Sequence, residues 1–240
     1  MSLHVAWHDV ECGGYDVDLD VWRSLAEAHA AGSPVLDVGA GTGRVALHLA
    51  SHGQPVVALD TEPELLDALR ERGDGLPVET VVGDARTMRL GRRFGLIIAP
   101  MQTVQLLEGA RGRAAFFARA REHLLPGGVL AAAIAHPLRA FDAREVVPPD
   151  PDLGEADGIQ LLSRPVAIRD EGDRVALVRE REAIHPDGSR ATERDVIRLD
   201  RVSPGELSAE GAAAGLRPAD PLRIPATPDY VDSTVLLWHA

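Results

Sequence analysis

The chain has 240 residues, 45% of them hydrophobic, and a formal net charge of −12, which allows one sizeable core but gives no basic footprint for a nucleic-acid backbone. Its single cysteine, Cys12, excludes a disulfide framework and favours a reducing, cytoplasmic compartment. No apolar run reaches membrane-spanning length, and Met1 to His8 lack the charged start and apolar core of a secretory signal, so no membrane partner is expected.

Residues 1–33 read as an N-terminal segment with a helix from Asp20 to Ala31, stopped by Gly32. Val35-Leu36-Asp37-Val38 predicts a strand, apolar except for its acid. Gly39, Gly41 and Gly43 then alternate with Ala40 and Thr42. Glycines in that pattern let the backbone turn tightly and approach a ligand closely. Val45, Ala46, Leu49 and Ala50 share one face of the helix that follows, which leaves His48 and His52 to solvent. The free N–H groups of that helix start lie beside the turn. The spacing is G-x-G-x-G, with Arg44 where a dinucleotide fingerprint has its third glycine. Asp37 would also repel a pyrophosphate, whereas it suits a cationic or hydroxyl-bearing ligand. An NAD-dependent or nucleotide-sugar enzyme is therefore disfavoured.

A second buried strand ends in Asp60, after which Thr61 and Glu64 have capping-box spacing around Pro63. A third strand, Val78 to Val82, leads into Gly83-Asp84-Ala85, where Asp84 could cap a helix. Phe94 to Ala99 is nearly all apolar, as a central parallel strand should be, and Pro100, Met101 and Gln102 follow at its C-terminal end. Arg92-Arg93, and Arg111 with Arg113, read as solvated surface. Leu124 to Leu130 carries a turn into a fifth strand that ends in Ala135-His136. Residues 146–158 read as a loop rich in proline and acid. Strand-like runs follow over 164–170, 174–184 and 192–202, with hairpin-turn chemistry at His185 to Ser189. Ser203, Pro204 and Glu206 predict a helix start by N-cap, N1 proline and acidic N3. Leu207, Gly211 and Ala214 would form its buried face. Gly215 would stop it with Leu216 as the apolar contact beyond, and a last strand spans Thr234 to Trp238.

Asp37 with Gly39, Gly41 and Gly43 resembles motif I of the class I S-adenosylmethionine-dependent methyltransferases, and four further signals follow in order as far as Ala135. The resemblance implies a doubly wound, Rossmann-like α/β fold: a seven-stranded sheet whose last strand is antiparallel, with an antiparallel β insertion on the substrate side. It implies a single domain over 1–240, divided into a lid segment (1–33), a cofactor-binding half (34–135), and an insertion with a C-terminal hairpin (136–240). Carried over position by position, Asp60 would bind the ribose hydroxyls with Thr61 beside it. Asp84 would bind the adenine amino group, and the Ala85 N–H a ring nitrogen. Ala40 would lie within the glycine turn, and Pro100 and Met101 near the reactive methyl. Tyr15-Asp16 matches the pair that closes on the cofactor in one branch of the family. That branch includes glycine and sarcosine N-methyltransferases, amino-sugar N-methyltransferases and natural-product tailoring enzymes.

The expected reaction is transfer of a methyl group from S-adenosylmethionine, leaving S-adenosylhomocysteine, to a small-molecule acceptor at nitrogen, oxygen or carbon. A non-methylation reaction such as cyclisation, or a non-catalytic binding module, stays open as the alternative. The sequence contains no asparagine, so the Asn-Pro-Pro-Tyr motif of nucleic-acid N-methyltransferases is absent. It also contains no lysine; both missing residues have A-rich codons, which suggests a GC-rich bacterial genome. Methyl transfer mainly requires alignment and exclusion of water. An acceptor that must lose a proton also needs a base with a pKa near the working pH. His136, at the end of the fifth strand, is the candidate base; His8 and His185 are weaker ones. Gln102, Arg139, Phe141 and Tyr230 are candidate acceptor contacts. No metal site is expected, since no set has ligand spacing, and a homo-oligomer is left open.

Overall fold

The computed structural model describes residues 1–30, 32–227 and 230–240. The first part of the chain runs α1 (Leu3–Cys12), α2 (Leu19–His29), β1 (Val35–Val38), α3 (Arg44–Ser51), β2 (Val56–Asp60), α4 (Pro63–Arg72), β3 (Val78–Val82) and β4 (Phe94–Ala99). A 3-10 turn (Thr103–Leu106), α5 (Ala110–His123) and β5 (Leu124–Ala135) complete the parallel part. The insertion follows as β6 (Phe141–Asp142), β7 (Asp152–Ala156), β8 (Ile159–Asp170), β9 (Arg174–Ile184) and β10 (Arg190–Asp200). The chain closes with α6 (Pro204–Ala213), β11 (Arg217–Ile224) and β12 (Ser233–His239).

Among the described residues, a seven-stranded sheet has the order β11-β12-β5-β4-β1-β2-β3. β1 to β5 are parallel, and β12 runs antiparallel to β5 and to β11. Helices cover both faces, so the sheet is doubly wound. Trp22, Leu25, Val45, Leu49, Leu66 and Leu69 from α2, α3 and α4 pack on one face. Phe116, Phe117 and Leu207 from α5 and α6 pack on the other. Each such side chain, fully buried, contributes about 1.5–3 kcal/mol of transfer free energy. The strand order reverses between β4 and β1. In open α/β sheets that is where a crevice forms at the carboxyl ends of the strands. A separate antiparallel sheet has the order β10-β9-β8-β6, with β7 also paired to β8.

Several expectations need correction. Residues 146–158 contain β7, which pairs with β8 through Asp152–Ala156. Apart from Ala156 its residues are exposed or half-buried, so it lacks the apolar alternation that marks a strand. The helix expected over Asp20 to Ala31 is observed as Leu19–His29, and Ala31 lies outside the described residues. Thr61 and Glu64 form no capping box. Glu62 is the N-cap of α4 with Pro63 at N1, and the Glu62 N–H donates to Asp60 Oδ1 instead (3.0 Å). Asp84 caps a turn, not a helix, by accepting from the Arg86 N–H (2.7 Å). His48 is half-buried, with its Nε2 buried and unpartnered.

Arg113 is the largest departure from its expected surface role. Its side chain is only 7% exposed and reaches Asp200 Oδ2 and Glu210 Oε2, each at 2.7 Å. The pairing ties α5 to the end of β10 and to α6. Buried Gln105 joins the same corner: its Nε2 donates to the carbonyls of Ala135 and Asp200, and its Oε1 accepts from the Ala135 N–H. The insertion is thus fixed to the C-terminal end of β5.

The capping box at Ser203 and Glu206 is present as expected. Gly211 on α6 lies against Trp238 of β12, so closely that an added Cβ would fall 2.2 Å from the indole Nε1. Gly211→Ala is expected to cost about 1–3 kcal/mol through overpacking, outweighing alanine's better helix propensity. Denaturant unfolding checks this, and an unchanged midpoint would show that the helix can shift freely.

Candidate active site

β1 carries a buried acid as its penultimate residue and delivers the chain into three left-handed glycines, Gly39 (φ 72°), Gly41 (φ 54°) and Gly43 (φ 98°). The N–H groups of Gly39 and Ala40 donate to the Leu59 carbonyl of β2. The Gly41 N–H donates to Asp60 Oδ2 at 2.8 Å. Asp60 therefore holds the glycine loop through one oxygen and the start of α4 through the other.

Asp37 lies beneath this loop and is 1% exposed. Its Oδ1 is buried without a hydrogen-bond partner. Burial, above all, pushes its pKa up to about 8; Arg44 opposes the shift, and the charges of Asp60 and Asp18 add to it. An orphaned buried carboxylate oxygen is expensive, and it suits a site completed by a cationic ligand.

Two side chains overlie the loop. Thr103 packs on Gly39, where an added Cβ would be 2.7 Å from its hydroxyl, and His8 packs on Gly41, where the separation would be 2.4 Å. Neither overlying contact is readable from sequence spacing, because 64 residues separate Gly39 from Thr103. α1, which supplies His8, carries no strong sequence signal.

Beside the loop, Arg44 takes up the role that its position after Gly43 allows. Its guanidinium pairs with both oxygens of Asp18, which is fully buried, and lies 5.1 Å over the Tyr15 ring. Trp22 Nε1 also donates to Asp18 (2.7 Å). Tyr15 is 6% exposed, its hydroxyl shares a hydrogen bond with Ser233 (3.2 Å), and its ring meets Tyr230 edge-on at 4.9 Å. A cavity of about 50 Å³ opens here. It is lined by Tyr15, Asp18, Met101, Gln102, Ala133, Ala135, Tyr230, Val231 and Ser233. It lies at the C-terminal ends of β4 and β5, on the α2 face of the sheet.

The structure thus brings Tyr15, Met101, Gln102 and Tyr230 to one cavity, next to the loop of Asp37, Gly39, Ala40, Gly41, Gly43 and Asp60. Pro100 is buried at the end of β4, and its carbonyl accepts from Thr103. Thr61 is exposed at the rim after β2, and Ala85 is buried after β3. Asp84 is paired with the Arg86 guanidinium, which holds its carboxyl below the usual carboxylate range. His136 is not brought to the cavity. Ala133 and Ala135 line it, whereas His136, the residue after β5, does not. Arg139 is exposed, and Phe141 pairs across to Ile168 in the insertion sheet; neither lines the cavity. His185 sits in the β9–β10 turn. Among the described residues, no group of three His, Cys, Asp or Glu could hold a metal, and no helix is long and apolar enough to cross a membrane.

Residues 35–128 match the family model described as "Methyltransferase domain". This part of the chain, about two-fifths of its length, is similar to methyltransferase domains. A curated cypemycin N-terminal methyltransferase from a Streptomyces species is 34% identical over 97 residues, 40% of each chain. A dTDP-3-amino-3,4,6-trideoxy-alpha-D-glucopyranose N,N-dimethyltransferase from Streptomyces venezuelae is 34% identical over 99 residues, 41% of this chain and 40% of the other. The chain therefore aligns with about two-fifths of the length of these relatives. The SAM-bound structure of CalS10, an amino pentose methyltransferase from Micromonospora echinaspora, has a TM-score of 0.73 at 22% identity. The match covers 100% of this chain and 97% of that one, so the likeness of fold extends through the insertion.

Proposed function

We propose that this chain transfers a methyl group from S-adenosylmethionine to a nitrogen of a small-molecule amine. The observation that carries the reading is the glycine loop, with the orphaned Asp37 oxygen beneath it and Asp60 at its rim, beside a cavity walled by tyrosines and alanines. The three left-handed glycines turn the backbone more tightly than a residue with a Cβ allows, and the orphaned acid suits a cationic group. In this reading Asp60 would accept from the ribose hydroxyls, and the loop N–H groups would border the rest of the cofactor. When bound, the cofactor supplies a sulfonium methyl open to in-line displacement.

The chain's own contribution is alignment and exclusion of water. Tyr15 and Tyr230 narrow the cavity, and the edges of Ala133 and Ala135 keep it apolar. An ammonium loses hydration on entering such a site, which lowers its pKa and favours the neutral, nucleophilic amine. In this reading the proton leaves without His136, which lies off the cavity. Nitrogen is favoured over oxygen and carbon because the named relatives are an N-terminal methyltransferase and an N,N-dimethyltransferase. An amino sugar carried on a nucleotide is the acceptor class to try first.

The test is release of S-adenosylhomocysteine with amino sugars, peptides with free N-termini, and hydroxylated controls. Methylation at nitrogen is expected, and transfer to the hydroxylated controls alone would overturn the amine assignment. Asp60→Ala is expected to weaken cofactor binding by about 1–3 kcal/mol, the scale for losing partners of buried polar groups. Calorimetry with S-adenosylmethionine checks it. No binding by the wild-type chain at millimolar cofactor would sink the whole reading, whereas unchanged affinity in the variant would remove only the role of Asp60.

A further inference from the structure

α1 is held along its length by partners on different parts of the molecule. Asp9 pairs with Arg72 of α4 through both carboxylate oxygens. Glu11 makes a bidentate pair with Arg181 of β9 (2.7 and 2.8 Å) and accepts from Ser163 of β8 (2.7 Å). Ala6 and Trp7 pack with Ala156, Leu161 and Ala183 of the insertion. Between these anchors, His8 projects onto the glycine loop, against Gly41, with Nδ1 3.3 Å from the hydroxyl of Thr42. Thr42 is itself 4% exposed. The imidazole is therefore built into the loop's outer wall and is not a surface group that happens to lie nearby.

We propose that His8 is a positioning residue of the cofactor site, fixing Gly41 and Thr42 from outside and forming the wall of the site beside Asp60. The inference rests on the cofactor reading given above. Residue 41 must be a glycine for two reasons: its φ is left-handed, and the imidazole occupies the space of a side chain. The Gly41 N–H is fixed to Asp60, so the wall and the ribose acid belong to one rigid unit. His8 is not placed to act as a base, since it lines the loop and not the cavity between Tyr15 and Met101.

A charge dependence follows from the surroundings. Burial holds the His8 pKa below its ordinary value; Asp9, Asp60 and Glu11 pull it up, and His4 pulls it further down. Of these, Asp9, Glu11 and His4 come from α1 itself, and Asp60 from the end of β2; Arg72 of α4 already neutralises Asp9. S-adenosylmethionine carries a net positive charge, so an imidazolium beside it is unfavourable.

The test uses the full chain and S-adenosylmethionine calorimetry at about pH 7 and about pH 5, a span that titrates a histidine. His8→Ala should weaken binding roughly tenfold at about pH 7, the loss expected when a buried polar contact is removed. His8→Gln keeps the bulk and a polar end, so it should bind within a few-fold of wild type at about pH 7. Wild-type affinity should fall more steeply toward about pH 5 than that of His8→Gln, which retains every other titrating group. Unchanged affinity in His8→Ala, or identical pH slopes for wild type and His8→Gln, would overturn the assignment. If the wild-type chain binds no cofactor at either pH, the cofactor reading itself fails and takes the role of His8 with it.

Discussion

Arg44→Ala is expected to remove about 3–5 kcal/mol of stability, the cost of stranding a buried charge. Asp18 is fully buried, and Arg44 supplies its counter-charge through a two-pronged contact, with an Nη2 to Oδ2 distance of 2.9 Å. Without the guanidinium, Asp18 keeps the Trp22 indole alone as a side-chain hydrogen-bond partner among the described residues. The same guanidinium also donates to the Tyr15 carbonyl and lies over its ring. Its loss therefore loosens the segment that brings Tyr15 to the cavity. Arg44→Lys should recover little, because an ammonium cannot make the planar, paired contact. Denaturant unfolding followed through tryptophan fluorescence measures the loss. A destabilisation under about 1 kcal/mol, the scale of an exposed pair, would mean that water reaches Asp18.

The second large effect is on pH. Asp37 titrates at about 8 in the folded chain against 3.8 ordinarily, so the folded state holds a proton that the unfolded state releases. The contribution is fully present below about pH 4 and is lost as pH rises toward about 8, at up to about 1.4 kcal/mol per pH unit. Asp37→Asn keeps the shape without the charge. Its stability advantage over wild type should grow by several kcal/mol between about pH 5 and about pH 8. Comparing the two chains cancels the histidines, whose depressed pKa values slope the other way. An advantage that stays constant across that range would show that Asp37 is already ionised and solvated. Cofactor binding should narrow the gap, because a cation placed near Asp37 favours its carboxylate.

The parallel half of the fold was legible because parallel strands buried on both faces are written as apolar runs. β4 falls where its run predicts, and β2 ends at Asp60 as the acid suggests. The loop glycines were legible for the same kind of reason: a left-handed turn leaves few other residues possible. Arg113 was not legible, since an arginine reads as surface until its partners are known, and Asp200 and Glu210 are 87 and 97 positions away. Thr61 misled because Asp60 already supplies the oxygen that a cap would give. The cavity brought together Tyr15 and Tyr230 from distant ends of the chain. It left His136 outside, one residue beyond the end of β5, which the position of a strand end alone does not tell.

The roof over the glycine loop has a consequence for how the molecule assembles. Glu11 meets Ser163 and Arg181 across 152 and 170 positions of chain, whereas the sheet beneath is built largely from neighbouring units. Closing so long a span costs entropy that only a nearly finished insertion can offset, although the cost grows only logarithmically with length. The contacts of α1 should therefore form late in folding, after both of their docking faces exist. The same order governs opening in reverse. The helix that covers the loop is the piece able to detach while the core stays intact, which offers a way in for a ligand without unfolding the sheet that receives it.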